Sequence, residues 1–421
     1  MPSQASRPAL RTRADCRLCG GRDLRQVMSL GATPLANEFV GAAGRGQPQD
    51  RFPLDVHLCA GCGHAQLLDV VDPEVLFRHY VYVSSTSPVF VEHFRRYAEA
   101  MLQLTRMPPG SRVVEIGSND GALLRAFKDA GTQVQGIDPA RRIAEDATRA
   151  GIPTLPEFFT PAVATRLREQ GGPAALIAAN NVFAHADDLH AIAEGVAQLL
   201  APDGLFVFEV SYLLDVVQKT LFDTIYHEHL SYHTVKPLVR FFEGHGLELV
   251  DAARVDSHGG SLRGLVQRAG GPFPRQPAVD GLIADEARLG LHGPDAYRAF
   301  IARIQARKAE LTRLLGRLKA EGKTIVGFGA PAKATTLLFH FGLGSDTLDY
   351  LIDDSPLKQG LYSPGHHLPV RPSSSLYDPA RRPDYALILA WNFAESIITN
   401  HQAYLAAGGH FIIPLPAVEV R

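Results

Sequence analysis

The 421-residue sequence predicts an α/β protein in three parts: a small cysteine-bound module, a Rossmann-like domain and a second, smaller Rossmann-like domain. Three observations predict it. All four cysteines fall in the first sixth of the chain. From Arg112 onward short apolar strands alternate with amphipathic helices, and near Thr324 a second glycine turn starts the same alternation again. A chain this long exceeds one compact core, and the expected parts are residues 1–80, 81–255 and 256–421.

Composition narrows the function classes. A formal charge of −2 leaves no global basic footprint, which disfavours nucleic acid as a partner. No run approaches the roughly 20 apolar residues that span a bilayer. Met1 to Arg13 is polar and Arg-rich with no apolar stretch, so it reads as a disordered, solvated tail rather than a secretory signal. The cytoplasm follows by default.

The first element carries two knuckles, Cys16-Arg-Leu-Cys19-Gly-Gly and Cys59-Ala-Gly-Cys62-Gly. Two Cys-x-x-Cys pairs place four thiolates around one tetrahedral zinc, and a closed four-thiolate site folds a module rather than performing chemistry. Two disulfides are the alternative, which a cytoplasmic chain rarely keeps. His57 and His64 flank the second knuckle and are expected to be bystanders.

The second element opens with the strand around Arg112-Val-Val-Glu115-Ile and the turn Gly117-Ser-Asn119-Asp120-Gly121, then a helix from Ala122 to Ala130. The next strand, Gln133 to Ile137, ends in Asp138, about 20 residues past the glycine turn, where a carboxylate can accept from two ribose hydroxyls. Such a turn plus acid suits a dinucleotide or S-adenosylmethionine. Glu115 would repel a pyrophosphate but attract a cationic amino-acid or sulfonium group, and the three-glycine dinucleotide fingerprint is absent. S-adenosylmethionine is therefore the expected ligand, held by Glu115, Gly117, Asn119, Gly121 and Asp138. Further strands are expected at Ala174 to Ala179, Gly204 to Val210 and Leu247 to Val255, with helices at Pro161 to Arg168, Leu189 to Leu200 and Val235 to Gly246. Asn180 and Asn181 end the fourth strand at the carboxyl edge where open α/β sheets bind ligands. Phe158 and Phe159 either cover an adenine or join the core.

Beyond the fifth strand stands Tyr226-His227-Glu228-His229-Leu-Ser-Tyr232-His233, too polar for a core element. A metal site is one rival, since His229 and His233 have helical spacing, but the His-Glu-x-x-His pattern is missing. A structural hydrogen-bond cluster is another. Acid–base chemistry fits best: removing a proton beside a carbonyl needs a base near neutral pKa and a donor for the enolate oxygen. His185, after the fourth strand, would face the same edge.

The third element begins with a mainly helical stretch from Leu282 to Lys319, then a strand from Thr324 to Phe328 and the turn Gly327-Phe-Gly329-Ala-Pro-Ala-Lys333. Helix amides beyond such a turn suit a phosphate. Lys333 either adds charge for a diphosphate or stands on an exposed helix face. Strands at Leu348 to Ile352, Tyr385 to Ala390 and His410 to Pro414 complete a smaller parallel sheet, with Asp353, Asp354 and the Lys358 turn at its strand ends.

Taken together, the paired knuckles, Glu-Ile-Gly-Ser-Asn-Asp-Gly, Tyr-His-Glu-His, His-Gly-Gly-Ser-Leu-Arg (residues 258–263) and Val-Gly-Phe-Gly-Ala-Pro-Ala-Lys (residues 326–333) resemble the sugar C-methyltransferases of deoxysugar pathways. That family includes the thymidine-diphosphate-sugar C-3′-methyltransferases that make branched sugars such as mycarose. The resemblance implies a zinc module, a class I methyltransferase domain and a C-terminal domain holding the nucleotide. It implies that His229 is the base, with Tyr226, Glu228 and His185 lining the sugar site. Tyr80 is expected to reach the substrate, as are Ser261, Arg263 and Lys333. The implied substrate is a nucleotide-diphosphate 4-keto-deoxysugar, methylated at carbon 3 or, as in some relatives, carbon 5. An NAD-dependent sugar oxidoreductase, a zinc-knuckle RNA methyltransferase and a non-catalytic sugar-nucleotide binder are the rivals; each leaves Glu115, the neutral charge or the histidine cluster unexplained.

Overall fold

The structure, a computed structural model, describes residues 10–77, 84–86, 88–257, 259–379 and 381–421. Seven strands form the central sheet, in the order Leu247–Val255, Ser261–Arg268, Leu200–Ser211, Ala174–Asn180, Arg112–Ile116, Gln133–Ile137, Thr154–Leu155. The last five run parallel, and Ser261–Arg268 is antiparallel to both its neighbours. Runs such as Ala174-Ala-Leu-Ile-Ala-Ala and Phe206-Val-Phe are nearly continuous in apolar side chains because helices cover both faces. Two of those helices have side-chain caps: Thr160 accepts from Val163 N, and Asp188 from Ala191 N.

The expected boundary at residues 255 and 256 cuts a hairpin. Leu247–Val255 and Ser261–Arg268 pair over their length, so this sheet runs to Arg268. The mainly helical stretch expected from Leu282 to Lys319 is built of two helices, Pro277–Arg288 and Pro294–Ala320. Pro294 lacks an amide hydrogen and opens the second helix at its first turn.

The cysteine module is a four-stranded antiparallel sheet of Leu24–Thr33, Phe52–Cys59, Ala65–Leu67 and Ser231–Tyr232. Its last strand is donated by the histidine-rich segment. The N-terminal tail is corrected from residue 10 onward. Leu10–Thr12 pairs with Asp69–Val71, and Arg11 and Arg13 both bond Asp187. These ion pairs and the strand explain why an Arg-rich stretch is ordered. Arg17, fully enclosed between the first two cysteines, bonds Gln66 Oε1, Leu67 O and Asp187 Oδ1 and so links the module to the central domain.

The C-terminal sheet has the order Val370–Arg371, Leu351–Ile352, Ile325–Phe328, Tyr385–Ile388, His410–Ile413, Glu419–Val420. Its first five strands are parallel, and the helix Ala332–Phe341 follows the glycine turn. Among the described residues, no helix is long and apolar enough to cross a membrane.

Candidate active site

The four cysteine sulfurs lie within 4.8 Å of one another, with Cys16–Cys62 and Cys19–Cys59 each at 3.6 Å. A disulfide needs about 2.05 Å, whereas a tetrahedron with Zn–S near 2.3 Å sets its sulfurs about 3.8 Å apart. The donor set therefore fits zinc. A Cβ on Gly21 would stand 3.2 Å from the Cys19 sulfur and 3.4 Å from that of Cys59, which is why glycine follows the knuckle. His64 turns away to Ser231 Oγ at 3.2 Å, and His57 Nδ1 meets Asp55 O at 3.1 Å. Among the described residues, the four cysteines form the one group of three or more side chains able to hold a metal.

The glycine turn lies at the carboxyl edge of the central sheet. Gly117 has φ 68°, and a Cβ there would meet Val182 Cγ2 at 2.2 Å. Asp138 holds the turn open from the next strand: Asn119 N donates to its Oδ2 at 2.8 Å and Ala140 N to its Oδ1 at 2.9 Å. Burial lifts this carboxyl against those two bonds. From above, Ser84 N donates to Asn119 Oδ1 at 3.0 Å and Ser85 N to Asp120 Oδ2 at 3.2 Å.

Glu115 is only 3 % exposed. Burial pushes its carboxyl well above the usual range, against a long 3.5 Å contact from Asn180 Nδ2, and the Asp120 and Asp138 charges add to the rise. Its Oε2 and the Oδ1 of Asn180 are buried with no protein partner. Orphaned acceptors beside an acid fit a ligand that brings N–H donors and positive charge, as the amino-acid end of S-adenosylmethionine does. Asn181, at φ 55°, turns the chain just beyond.

The histidine-rich segment divides its rings between two tasks. His227 and His233 are buried and point into the core, the first to Phe52 O at 3.0 Å, the second to Phe183 O at 3.3 Å. His229 differs. Its Nδ1 meets Thr224 O at 2.6 Å, and because a carbonyl only accepts, Nδ1 carries the hydrogen and Nε2 keeps its lone pair. Burial pushes this ring down to about 4, with the Thr224 bond acting the other way, so it is neutral at pH 7. Tyr226 and His185 crowd it, at ring-centroid distances of 4.1 and 4.8 Å. Glu228 is buried and accepts from Asn37 Nδ2 at 2.7 Å. Among the described residues, His229 and His233 belong to no group of three or more side chains able to hold a metal.

Comparison with known proteins bears on this arrangement. The family "C-methyltransferase C-terminal domain" matches residues 256–416, "Methyltransferase domain" residues 90–252, and "Putative zinc binding domain" residues 16–77. C-methyltransferase NovU of Streptomyces niveus is 39% identical over 406 residues, which is 96% of each chain. The chain belongs to the C-methyltransferase family. It is an S-adenosylmethionine-dependent enzyme with a zinc-binding module, a class I methyltransferase domain and a C-terminal Rossmann-like domain. Solved structures that resemble it include magnesium protoporphyrin IX methyltransferase of Synechocystis PCC 6803 (13% identity, 42% of this chain and 81% of that one, TM-score 0.32). Another is an S-adenosylmethionine-dependent methyltransferase of Clostridium acetobutylicum (10% identity, 43% and 92%, TM-score 0.34).

The other expected site residues of this C-methyltransferase lie in varied surroundings. Arg263 forms an ion pair with Glu209, Nε to Oε1 at 2.6 Å, and its guanidinium lies 4.4 Å from the Tyr97 ring centroid. Ser261 is fully enclosed, its hydroxyl engaged with Ser257 Oγ at 2.9 Å and Ser257 O at 3.1 Å. This bond closes the hairpin turn and leaves no surface for a substrate. Lys333 is not on an exposed face: its Nζ donates to Asn392 Oδ1 at 2.6 Å and sits 3.4 Å from the Trp391 ring centroid. Phe159 is core, and Phe158 is half-buried. Tyr80 lies outside the described residues. Sequence reasoning missed Asn37, Thr224 and the serine amides at residues 84 and 85. The two side chains are ordinary in type, and the amides have no side-chain signature at all.

Proposed function

We propose that this C-methyltransferase methylates a nucleotide-activated 4-keto-deoxysugar, thymidine-diphosphate-linked, at carbon 3. The observation that carries the reading is the His229 ring, held by Thr224 O so that a neutral Nε2 keeps its lone pair beside the Tyr226 and His185 rings. Nε2 takes the proton from the carbon beside the ketone, and the C–H electron pair moves into an enolate. A ring near 4 is a weak base, so the enolate oxygen needs a donor in the same step, a task for Tyr226 or His185. Glu228, held by Asn37, aligns sugar hydroxyls. Glu115, Asn119, Asp138 and Asn180 bind the donor, with Gly117, Gly121 and Asn181 shaping its turn; S-adenosylmethionine supplies the electrophilic methyl. The nucleotide half falls to the C-terminal module, where Asp353 accepts from Ala330 N at 2.7 Å and Lys358 reaches Ala330 O at 2.9 Å beside the glycine turn.

Mass spectrometry of candidate 4-keto sugar nucleotides incubated with enzyme and donor tests the substrate class, and NMR of the product locates the methyl. The base is tested by exchange of the proton beside the ketone with deuterated solvent, in the presence of S-adenosylhomocysteine. His229→Asn should bind both ligands yet lose roughly a hundred- to ten-thousand-fold in exchange. Full exchange in that variant would move the base to His185.

A further inference from the structure

We infer that the C-terminal module sets the angle and tautomer of the base, with Thr336 and Trp391 acting as positioning residues for His229. The inference rests on His229 being the base. The carbonyl that holds the His229 ring belongs to Thr224, and the residues on both sides of it are fastened by the C-terminal module. Trp391 Nε1 donates to Asp223 Oδ2 at 2.6 Å, and Thr336 Oγ1 donates to Ile225 O at 2.8 Å. Phe222, one residue earlier, stacks on Phe341 with centroids 4.9 Å apart. Asp223, Thr336 and Phe222 are fully buried, and Thr224 nearly so.

The geometry separates positioning from adhesion. Residues 222–224 make one short turn of helix, and the next bond in the chain, His229 N to Tyr226 O, is again a local turn. These turn bonds fix the loop's shape, while its orientation relative to the rest of the site depends on directional bonds from outside. An apolar surface would suffice for cohesion, yet two polar donors are aimed at the residues either side of one carbonyl. Buried acceptors of this kind are costly to leave unpaired, which makes the bonds specific in angle as well as strong. Both donors lie in or beside one helix: Thr336 is in Ala332–Phe341, and Trp391 is tied to its first turn by Lys333, over the indole at 3.4 Å. That helix starts at the glycine turn assigned to the nucleotide. Engagement of the nucleotide half and aim of the base thus share one rigid element.

The test uses full-length, zinc-loaded enzyme and two variants, the near-isosteric Thr336→Val, which lacks the hydroxyl donor, and Trp391→Phe, which lacks the indole N–H together with part of the ring. The readouts are the rate of solvent exchange beside the ketone, dissociation constants for sugar nucleotide and donor, and the 15N signature of the His229 tautomer. Each variant should slow exchange about tenfold with both dissociation constants within twofold, and the His229 signal should shift from pure Nδ1–H towards a mixture. Thr336→Ser, which restores the hydroxyl, should return the wild-type rate and spectrum. Wild-type exchange and tautomer in both variants, with only a lower melting temperature, would overturn the inference. So would a Thr336→Ser variant as slow as Thr336→Val. If one variant does not fold, the other decides. His229→Asn is run in parallel: exchange surviving there refutes the base assignment itself, whereas exchange lost there but kept in the two variants refutes only the positioning role.

Discussion

Gly117→Ala offers a test in which the structure supplies the size of the effect. Two separate penalties act at this turn. The backbone stands at φ 68°, where a β-carbon costs about 1–2 kcal/mol. The new carbon would also stand 2.2 Å from Val182 Cγ2. Valine is stiff at χ1 and cannot swing aside cheaply, so overpacking adds about 1–3 kcal/mol. The sum is about 2–5 kcal/mol, and because the same turn presents Asn119 and the strand end of Glu115, donor affinity should fall with stability. A double-mutant cycle separates the two terms. In a Val182→Ala background the clash is gone, and the glycine substitution should cost only the backbone term, a coupling of about 1–3 kcal/mol. Donor calorimetry and urea denaturation of all four proteins supply the numbers. Equal cost of Gly117→Ala in both backgrounds would refute the contact with Val182, and unchanged donor affinity would remove the turn from the donor site.

Three further outcomes follow from the same geometry. Cys59→Ser should lower zinc content and solubility before it alters donor binding, because a closed thiolate site contributes to folding; metal analysis showing a full zinc complement in the variant contradicts this. Asp138→Ala should weaken donor binding by about 2–3 kcal/mol, since it removes a charged acceptor and frees the Asn119 and Ala140 amides; calorimetry with unchanged affinity excludes it. Stability should fall as pH drops from about 6.5 to about 4, the window between the ordinary histidine value and the values to which burial pushes His227 and His233. In that window the unfolded chain binds more protons than the folded one, at about 3 kcal/mol per fully buried ring by pH 4. Glu38, Glu115, Asp138 and Asp223, raised by burial, act in the opposite sense, but the histidines lowered by burial, His64, His227, His229, His233, His245, His340, His366 and His401, outnumber them. Urea midpoints that stay level across this window would contradict the burial of the rings.

The central sheet was legible because its signals are local. An apolar run ending in a glycine turn, and an acid ending the following strand, need no distant partner to be recognised. The same locality explains the misses. Ser261–Arg268 pairs into the central sheet although it follows the expected boundary, because nothing in an eight-residue strand says which sheet it joins. Ser231–Tyr232 was not read as a strand at all, since its partner, Ala65–Leu67, comes from the cysteine module. Arg11 and Arg13 looked solvated because their shared partner, Asp187, is far along the chain.

The candidate site shows where that limit falls within a single motif. Composition alone marked Tyr226 to His233 as too polar to be core, yet two of its three histidines are core after all, each with one nitrogen on a backbone carbonyl. What distinguishes His229 is not its residue type but which carbonyl it meets and what holds that carbonyl. Thr224 has no signature in sequence, and the residues flanking it are fixed by Trp391 and Thr336, from two elements more than a hundred residues later. A motif can therefore announce that chemistry happens nearby while the assignment of roles inside it belongs to the contacts between modules. The same reasoning applies to Lys333. Read locally it was a diphosphate ligand or a surface residue; in the fold its ammonium is engaged by Asn392 and the Trp391 ring, at the junction that carries the loop before His229. In this three-part enzyme the residues that fasten the Tyr226–His233 segment gather at those junctions, where sequence periodicity carries the least information.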